Sequence, residues 1–151
     1  RRSSDLIKDN LQEEMLRILL KRFIILCTRI AREKFSVSPE REKAFDMVRQ
    51  FYVLVDNHFK EKKMVQDYAD MLHRSPKTLS NLFTTCGLPS PLRIIHERIE
   101  AEAKRLLLYS QKSAKEITEI LGFEDQATFS RFFKKMTGES VSEYRKREKR
   151  E

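Results

Sequence analysis

The sequence predicts an all-α chain, short helices set end to end behind one long helix, on three observations. Helix starts are marked: Pro39, Pro76 and Pro91 each follow a serine, the pairing of a Ser N-cap with Pro at the first helical position. Helix ends are marked as well. Gly87, Gly122 and Gly138 each close an apolar-periodic stretch, where a left-handed C-cap is wanted. Between these marks apolar residues recur at helical spacing, and no alternating strand pattern competes.

The first element is long. Residues 4 to 34 carry Leu16, Leu19, Phe23, Leu26 and Ile30 at 3-4 spacing, a seam of about two heptads, while Leu11, Met15, Ile18 and Ile25 form a second apolar face. A helix apolar on two sides needs two neighbours. It reads either as a dimerisation helix or as ordinary packing against a domain not in this chain, and residues 1–37 are set apart as this linker. After the break "SVSPER", a second helix runs from Pro39 to about Lys60, with Phe45, Val48, Phe51, Tyr52, Val55 and Phe59 on one stripe. Further helices are expected near 62–73, 75–86, 91–109, 113–121, 125–137 and 140–149. "SAKE" (Ser113, Glu116) and "SVSE" (Ser140, Glu143) read as capping boxes for two of them.

A repeat organises residues 38–151. "YADMLHRSPKTLSNLF" spaces Ala69, Leu72, Leu79 and Phe83 as a helix-turn-helix does, and "EITEILGFEDQATFSRFF" spaces Ile117, Leu121, Phe129 and Phe133 likewise, with one extra turn residue. The first unit covers about 62–87 and the second about 113–138. Between them a helix over 91–109 would span about 28 Å at 1.5 Å per residue. Two reading helices held that far apart suit successive major-groove segments, whose repeat is about 34 Å.

Composition bounds the partners. The chain has 151 residues, 40% apolar and 36% charged, with a net charge of +8 and a pI near 9.6. It can bury one modest core or two small ones. The charge favours an anionic partner, nucleic acid ahead of a membrane surface; a solvated basic surface is the plain alternative. Cys27 and Cys86 lack metal spacing, lie inside helical patterns and read as buried or idle thiols of a reducing, cytoplasmic compartment. The longest apolar run, "FIILC", is too short to span a bilayer. No signal peptide is seen, and the missing initiator Met leads us to expect a piece of a longer polypeptide. No phosphate cradle, zinc-protease motif or Cys/His array points to an enzyme, a metal or a cofactor.

The stretches "DYADMLHRSPKTLSNLF", "RIEAEAKRLLLYSQKSAKEITEILGFEDQATFSRFFKKMTG" and "SEYRK" resemble the AraC/XylS family of bacterial transcription regulators, over about Phe45 to Arg147. "IIHERIEAEAKRLLLYS" has the style of the family's Bacteroidetes members. The resemblance implies a seven-helix DNA-binding unit of two helix-turn-helix subdomains. It also implies an N-terminal effector-binding or dimerisation domain, of which residues 4 to 34 would be the closing helix, so any small-molecule effector would bind outside this chain. The sequence departs from the family pattern at Val141, where Pro is frequent, at Thr118, where Ala is usual, and at Ile120, where a polar residue is usual.

Candidate contacts follow from an anchored back and a polar front. Phe129, Phe132 and Phe133 would anchor the last reading helix and Asp125 would cap it, leaving Gln126, Ala127, Ser130 and Arg131 to face base edges. Arg suits guanine O6 and N7, Gln suits adenine N6 and N7, and Ala suits a thymine methyl. In the first unit Lys77, Thr78, Ser80 and Asn81 take those positions. Ser75, at a helix N-terminus, together with Thr84, Lys134 and Lys135, would contact phosphates. The function expected is a regulator binding double-stranded DNA at a specific sequence. The rival reading is a basic helical adaptor or an RNA-binding module, which has no need of two copies so spaced.

Overall fold

The computed structural model describes residues 3–34 and 38–148, with side chains described over 15–30 and 38–147. Residues 35–37 (which include the start of the expected break), the side chain of Leu11, and Lys149 at the end of the last expected helix lie outside that description. Eight helices are described: α1 (Ser3–Lys34), α2 (Pro39–His58), α3 (Val65–Met71), α4 (Pro76–Thr85), α5 (Pro91–Tyr109), α6 (Ala114–Ile120), α7 (Gln126–Thr137) and α8 (Val141–Glu148). No strand occurs among the described residues. The chain forms two compact units, residues 1–42 and 43–151.

The first unit is dominated by α1. Every described side chain on it, from Met15 to Ile30, is exposed, and the seam residues Leu16, Leu19, Phe23, Leu26 and Ile30 are 47–67% exposed.

In the second unit the punctuation read from the sequence does its expected work. Ser75 and Ser90 cap α4 and α5, accepting from the Thr78 and Arg93 amides, with Pro at the first helical turn of each. Ser113 and Glu116 exchange bonds at the start of α6, and Ser140 and Glu143 do so before α8. Gly138, with φ +83, closes α7 in the left-handed conformation. The element expected over 62–73 is shorter. It starts at Val65 because a turn at Phe59 to Glu61 and an irregular stretch at Lys62 to Met64 come first, and the Asp67 carboxylate takes up the Met64 N–H.

The core draws on every helix from α2 to α8. On the α2 stripe Val48, Phe51, Val55 and Phe59 are buried, whereas Phe45 and Tyr52 stay exposed. Phe51 meets Tyr68 of α3 and Phe83 of α4, with ring centroids 5.5 and 5.0 Å apart. Helices α3 and α4 pack on each other and on α5, and α6, α7 and α8 pack on α5 in turn. Its Ile95, Ile99 and Ala103 are essentially inaccessible. The long helix is therefore the common spine of both helix-turn-helix units.

One charged cluster seals α2 to α5. Glu102 is buried and gripped by Arg105 through two bonds of 2.8 and 3.1 Å, with Arg98 at 3.6 Å. The Arg105 hydrogen bonds outweigh burial and hold its carboxyl below the usual range. Arg98 also bonds Asp56 at 2.7 Å and lies 4.0 Å over the Phe59 ring, so its stem packs while its head stays paired. Thr118, one of the departures from the family pattern, is buried with its hydroxyl donating to Ala114 O at 2.8 Å. The extra oxygen is thereby satisfied locally, at little cost to the core.

Candidate nucleic-acid interface

Helices α4 and α7 are held by equivalent turns. After α3, the His73 and Arg74 amides donate to Asp70 O and Ala69 O at 3.0 and 2.9 Å. After α6, the Gly122 and Phe123 amides donate to Glu119 O and Thr118 O, both at 3.0 Å. His73 has φ +53 and Gly122 has φ +66. Both corners thus use a left-handed residue to turn the chain out of the first helix. The repeat also fixes a detail that spacing alone left misaligned. Tyr68, fully buried, is the counterpart of buried Ile117, and Ala69 matches Thr118.

Behind α7 lies an aromatic stack. Phe123 meets Phe129 and Phe132 at 5.5 and 5.3 Å, and Phe133 meets Tyr144 of α8 edge-on at 5.4 Å. Phe129 and Phe133 are fully buried; Phe132 is half-buried and sits edge-on to His96 of α5 at 5.3 Å. Behind α4, Leu79 and Phe83 are fully buried. Each helix is therefore pinned along one side, with its other side free.

The front of α7 exposes Gln126, Ala127 and Arg131, with Ser130 half-buried between them. Asp125 caps the helix, its two carboxylate oxygens taking the Thr128 amide at 2.6 Å and the Thr128 hydroxyl at 3.1 Å. Arg131 then donates to that same hydroxyl at 3.1 Å. Asp125, Thr128 and Arg131 form one chain up the face, one helical turn per step. The Thr128 amide, then its hydroxyl, hold the Asp125 carboxyl below the ordinary range, with further help from the Ala127 amide and the Arg131 charge. Thr128 orients the guanidinium, and the sequence reading missed that role.

The front of α4 exposes Lys77, Thr78, Ser80 and Asn81. Thr78 is partly committed, since its hydroxyl pairs with that of Ser75 at 2.8 Å. Among the phosphate candidates the geometry sorts the hydroxyls from the lysines. The Thr84 hydroxyl donates to Ser80 O at 2.9 Å, and Ser75 spends its oxygen on the Thr78 amide. Lys134 and Lys135 lie exposed in the last turn of α7, where cations also complement the helix dipole. Lys134 is near enough to help hold the Glu143 carboxyl below its usual range, a shift caused first by the Ser140 hydrogen bonds. Burial, then the Lys135 charge, lower the pKa of His96, so that imidazole packs as a neutral ring.

Among the described residues no group of three or more His, Cys, Asp or Glu is arranged to hold a metal ion. No described helix is long and apolar enough to cross a membrane.

Comparison with known proteins gives the same picture. Residues 68–147 match the model of a helix-turn-helix domain. The chain is 30% identical over 122 residues to the HTH-type transcriptional regulator YisR of Bacillus subtilis, a match covering 80% of this chain and 41% of that protein. It is 31% identical to the arabinose operon regulatory protein of Salmonella typhimurium over 95% of this chain and 47% of that one. The chain thus spans less than half the length of these relatives. Among solved structures it is similar to the C-terminal domain of AraT, a response regulator from Geobacillus stearothermophilus. That match has a TM-score of 0.61 and 28% identity, over 73% of this chain and 86% of that chain.

Proposed function

The chain belongs to the AraC family of helix-turn-helix transcription regulators, and from that premise we propose that α4 and α7 read two neighbouring major-groove segments of one double-stranded site. DNA binding and transcription regulation come with the family; the two-segment reading is the finer claim. The observation that carries it is the duplicated corner. The same hydrogen bonds and the same left-handed conformation precede each helix, at His73 and at Gly122, and each helix is buried behind and polar in front. An adaptor or RNA-binding role gains no support from such a duplication.

In this reading Gln126, Ala127, Ser130 and Arg131 contact bases in one segment, and Lys77, Thr78, Ser80 and Asn81 contact bases in the other. The Asp125–Thr128–Arg131 chain supports Arg131 as the strongest single reader. A guanidinium oriented before binding loses less freedom when it grips guanine. Lys134 and Lys135 supply phosphate contacts, and the Lys77 amide at the start of α4 supplies another. The Thr84 hydroxyl takes part only by giving up its bond to Ser80. No catalytic step is assigned, and the protein acts where the DNA is, at the nucleoid. From residue 60 onward, 19 Lys/Arg less 14 Asp/Glu leave a charge of +5, so binding should fall steeply with salt.

Arg131→Ala is the direct test. It should cost about 1–3 kcal/mol in binding and relax preference at one base pair. A uniform loss over all sequences would remove Arg131 from the readers.

The exposed seam of α1 supports a second element, pairing of two copies through residues 4 to 34. Bare apolar residues at 3-4 spacing gain most from a like helix. In sedimentation, Leu19→Asp together with Phe23→Asp should halve the mass. A mass identical to that of the unaltered chain ends the pairing idea.

A further inference from the structure

The sequence assigned Lys63 no role, but its surroundings do. It lies in the turn between α2 and α3, and its ammonium donates to Lys60 O at 2.5 Å and to Gly122 O at 2.7 Å. The same nitrogen stands 5.1 Å from the centre of the Phe123 ring. Gly122 and Phe123 are the corner that launches α7. Lys60 and Gly122 also touch directly: a Cβ on Gly122 would lie 2.0 Å from the Lys60 carbonyl oxygen. From the other side, the Tyr68 hydroxyl of α3 donates to Lys62 O at 2.8 Å. A polar path therefore runs from α3 through Lys62 and Lys63 to the corner before α7, without passing through α5.

The physical cause is at the helix ends. Lys60 O lies just past the C-terminus of α2 and Gly122 O just past that of α6. Both ends carry the partial negative charge of the helix dipole. One ammonium answers both, with the face of Phe123 as a third partner. Burial draws the ammonium below the usual lysine range while Glu61 pulls it back up, so this cation is partly desolvated rather than idling in solvent.

We propose that Lys63 is a positioning residue: it braces the second helix-turn-helix against the first, so that the two reading helices meet DNA at a fixed separation. The inference rests on the two-segment reading given above. It adds that the separation is set by a side chain outside both reading helices as well as by the stiffness of α5. Lys63 touches no base in this account. Its removal therefore leaves the base preferences in place and changes how strictly the spacing between the two segments is enforced.

Two measurements on the full chain test it with Lys63→Met, which keeps an unbranched apolar stem, and with Lys63→Gln, which keeps a donor. Circular dichroism first establishes that each variant is folded. Spin labels at Thr85 and Glu119, with Cys27 and Cys86 replaced by Ser, report the distance between the units without DNA. The unaltered protein should give one narrow distribution, Lys63→Met a broader one, and Lys63→Gln an intermediate one. An equally narrow distribution in the folded Lys63→Met protein overturns the brace.

The second measurement is affinity for duplexes carrying one or two extra base pairs between the segments. The unaltered protein should lose about tenfold or more per insertion, the scale of a misplaced base contact. Lys63→Met should bind the native spacing about threefold more weakly, yet lose little more on insertion, as a looser tether does. A merely structural role would scale all duplexes together and leave the spacing profile unchanged, overturning the proposal. If the unaltered protein ignores spacing, the two-segment reading fails and takes the functional part of the inference with it. The spin-label distances would still show whether the brace exists.

Discussion

At His73 and at Gly122 the backbone turns the same corner, with φ +53 and +66 and matching hydrogen bonds, yet one position carries an imidazole and the other carries nothing. His73 is exposed, so its side chain leaves into solvent and only the cost of the left-handed conformation remains. At Gly122 the Lys60 carbonyl closes the space that a Cβ would need. The geometry of the corner is thus imposed by the helices it joins, and the residue in it is chosen by what lies alongside. The helices after the two corners differ in a related way. Helix α4 presents a lysine and small neutral polar groups behind a serine cap. Helix α7 presents a guanidinium tied to an aspartate cap, with an aromatic stack behind.

The largest effect should come from exchanging the corners. Gly122→Ala combines a left-handed penalty of about 1–2 kcal/mol with a clash against backbone, so its loss in a urea titration should exceed that penalty. His73→Gly removes the same penalty at the expense of chain entropy, and should lie between no change and a gain of about 1 kcal/mol. Equal losses at the two positions would contradict the account of why they differ.

Next in size is the contrast between the fronts of the two helices. Asn81→Ala should weaken binding by less than the Arg131 substitution, near the low end of about 1–3 kcal/mol for a base contact. It should also alter preference in the other segment. Were Asn81→Ala and Arg131→Ala to relax the same base pair, the two helices would not be reading separate places.

The smallest effect separates the caps by pH. Asp125 has its folded pKa below the unfolded one, so its contribution is complete above the ordinary aspartate value, about 3.9. It is lost as pH falls through the lowered value. Ser75 has nothing to titrate. On acidification the Thr128 amide resonance should shift while that of Thr78 holds. Parallel shifts at both amides would mean that the caps are not acting independently.

Much of this molecule was legible in its sequence because helix ends are written in single residues. Ser-Pro at 75–76 and 90–91, Ser113 with Glu116, and Asp125 before Gln126 each begin a helix where expected. The seam of α1 and the stripe of α2 were readable from periodicity. The start of α3 was not, since its cap is Met64 with Asp67 reaching back, and nothing in Met announces a helix. His73 was missed because a left-handed histidine looks like any other, although the repeat aligns it with Gly122. Lys63 could not be found by any local rule. Its partner is 59 residues away, and the contact exists only once both turns have formed. The front of α7 was legible as residue types, but the link from Asp125 through Thr128 to Arg131 needed coordinates.

On the proposed reading, α4 and α7 engage one duplex side by side from one spine. Methylation interference on a site selected from random duplexes tests it most directly. Two major-groove clusters are expected on one face of the DNA, centred about one helical turn, roughly 10–10.5 base pairs, apart. With Arg131→Ala one cluster should fade and the other persist. A single cluster, or two on opposite faces, would contradict it.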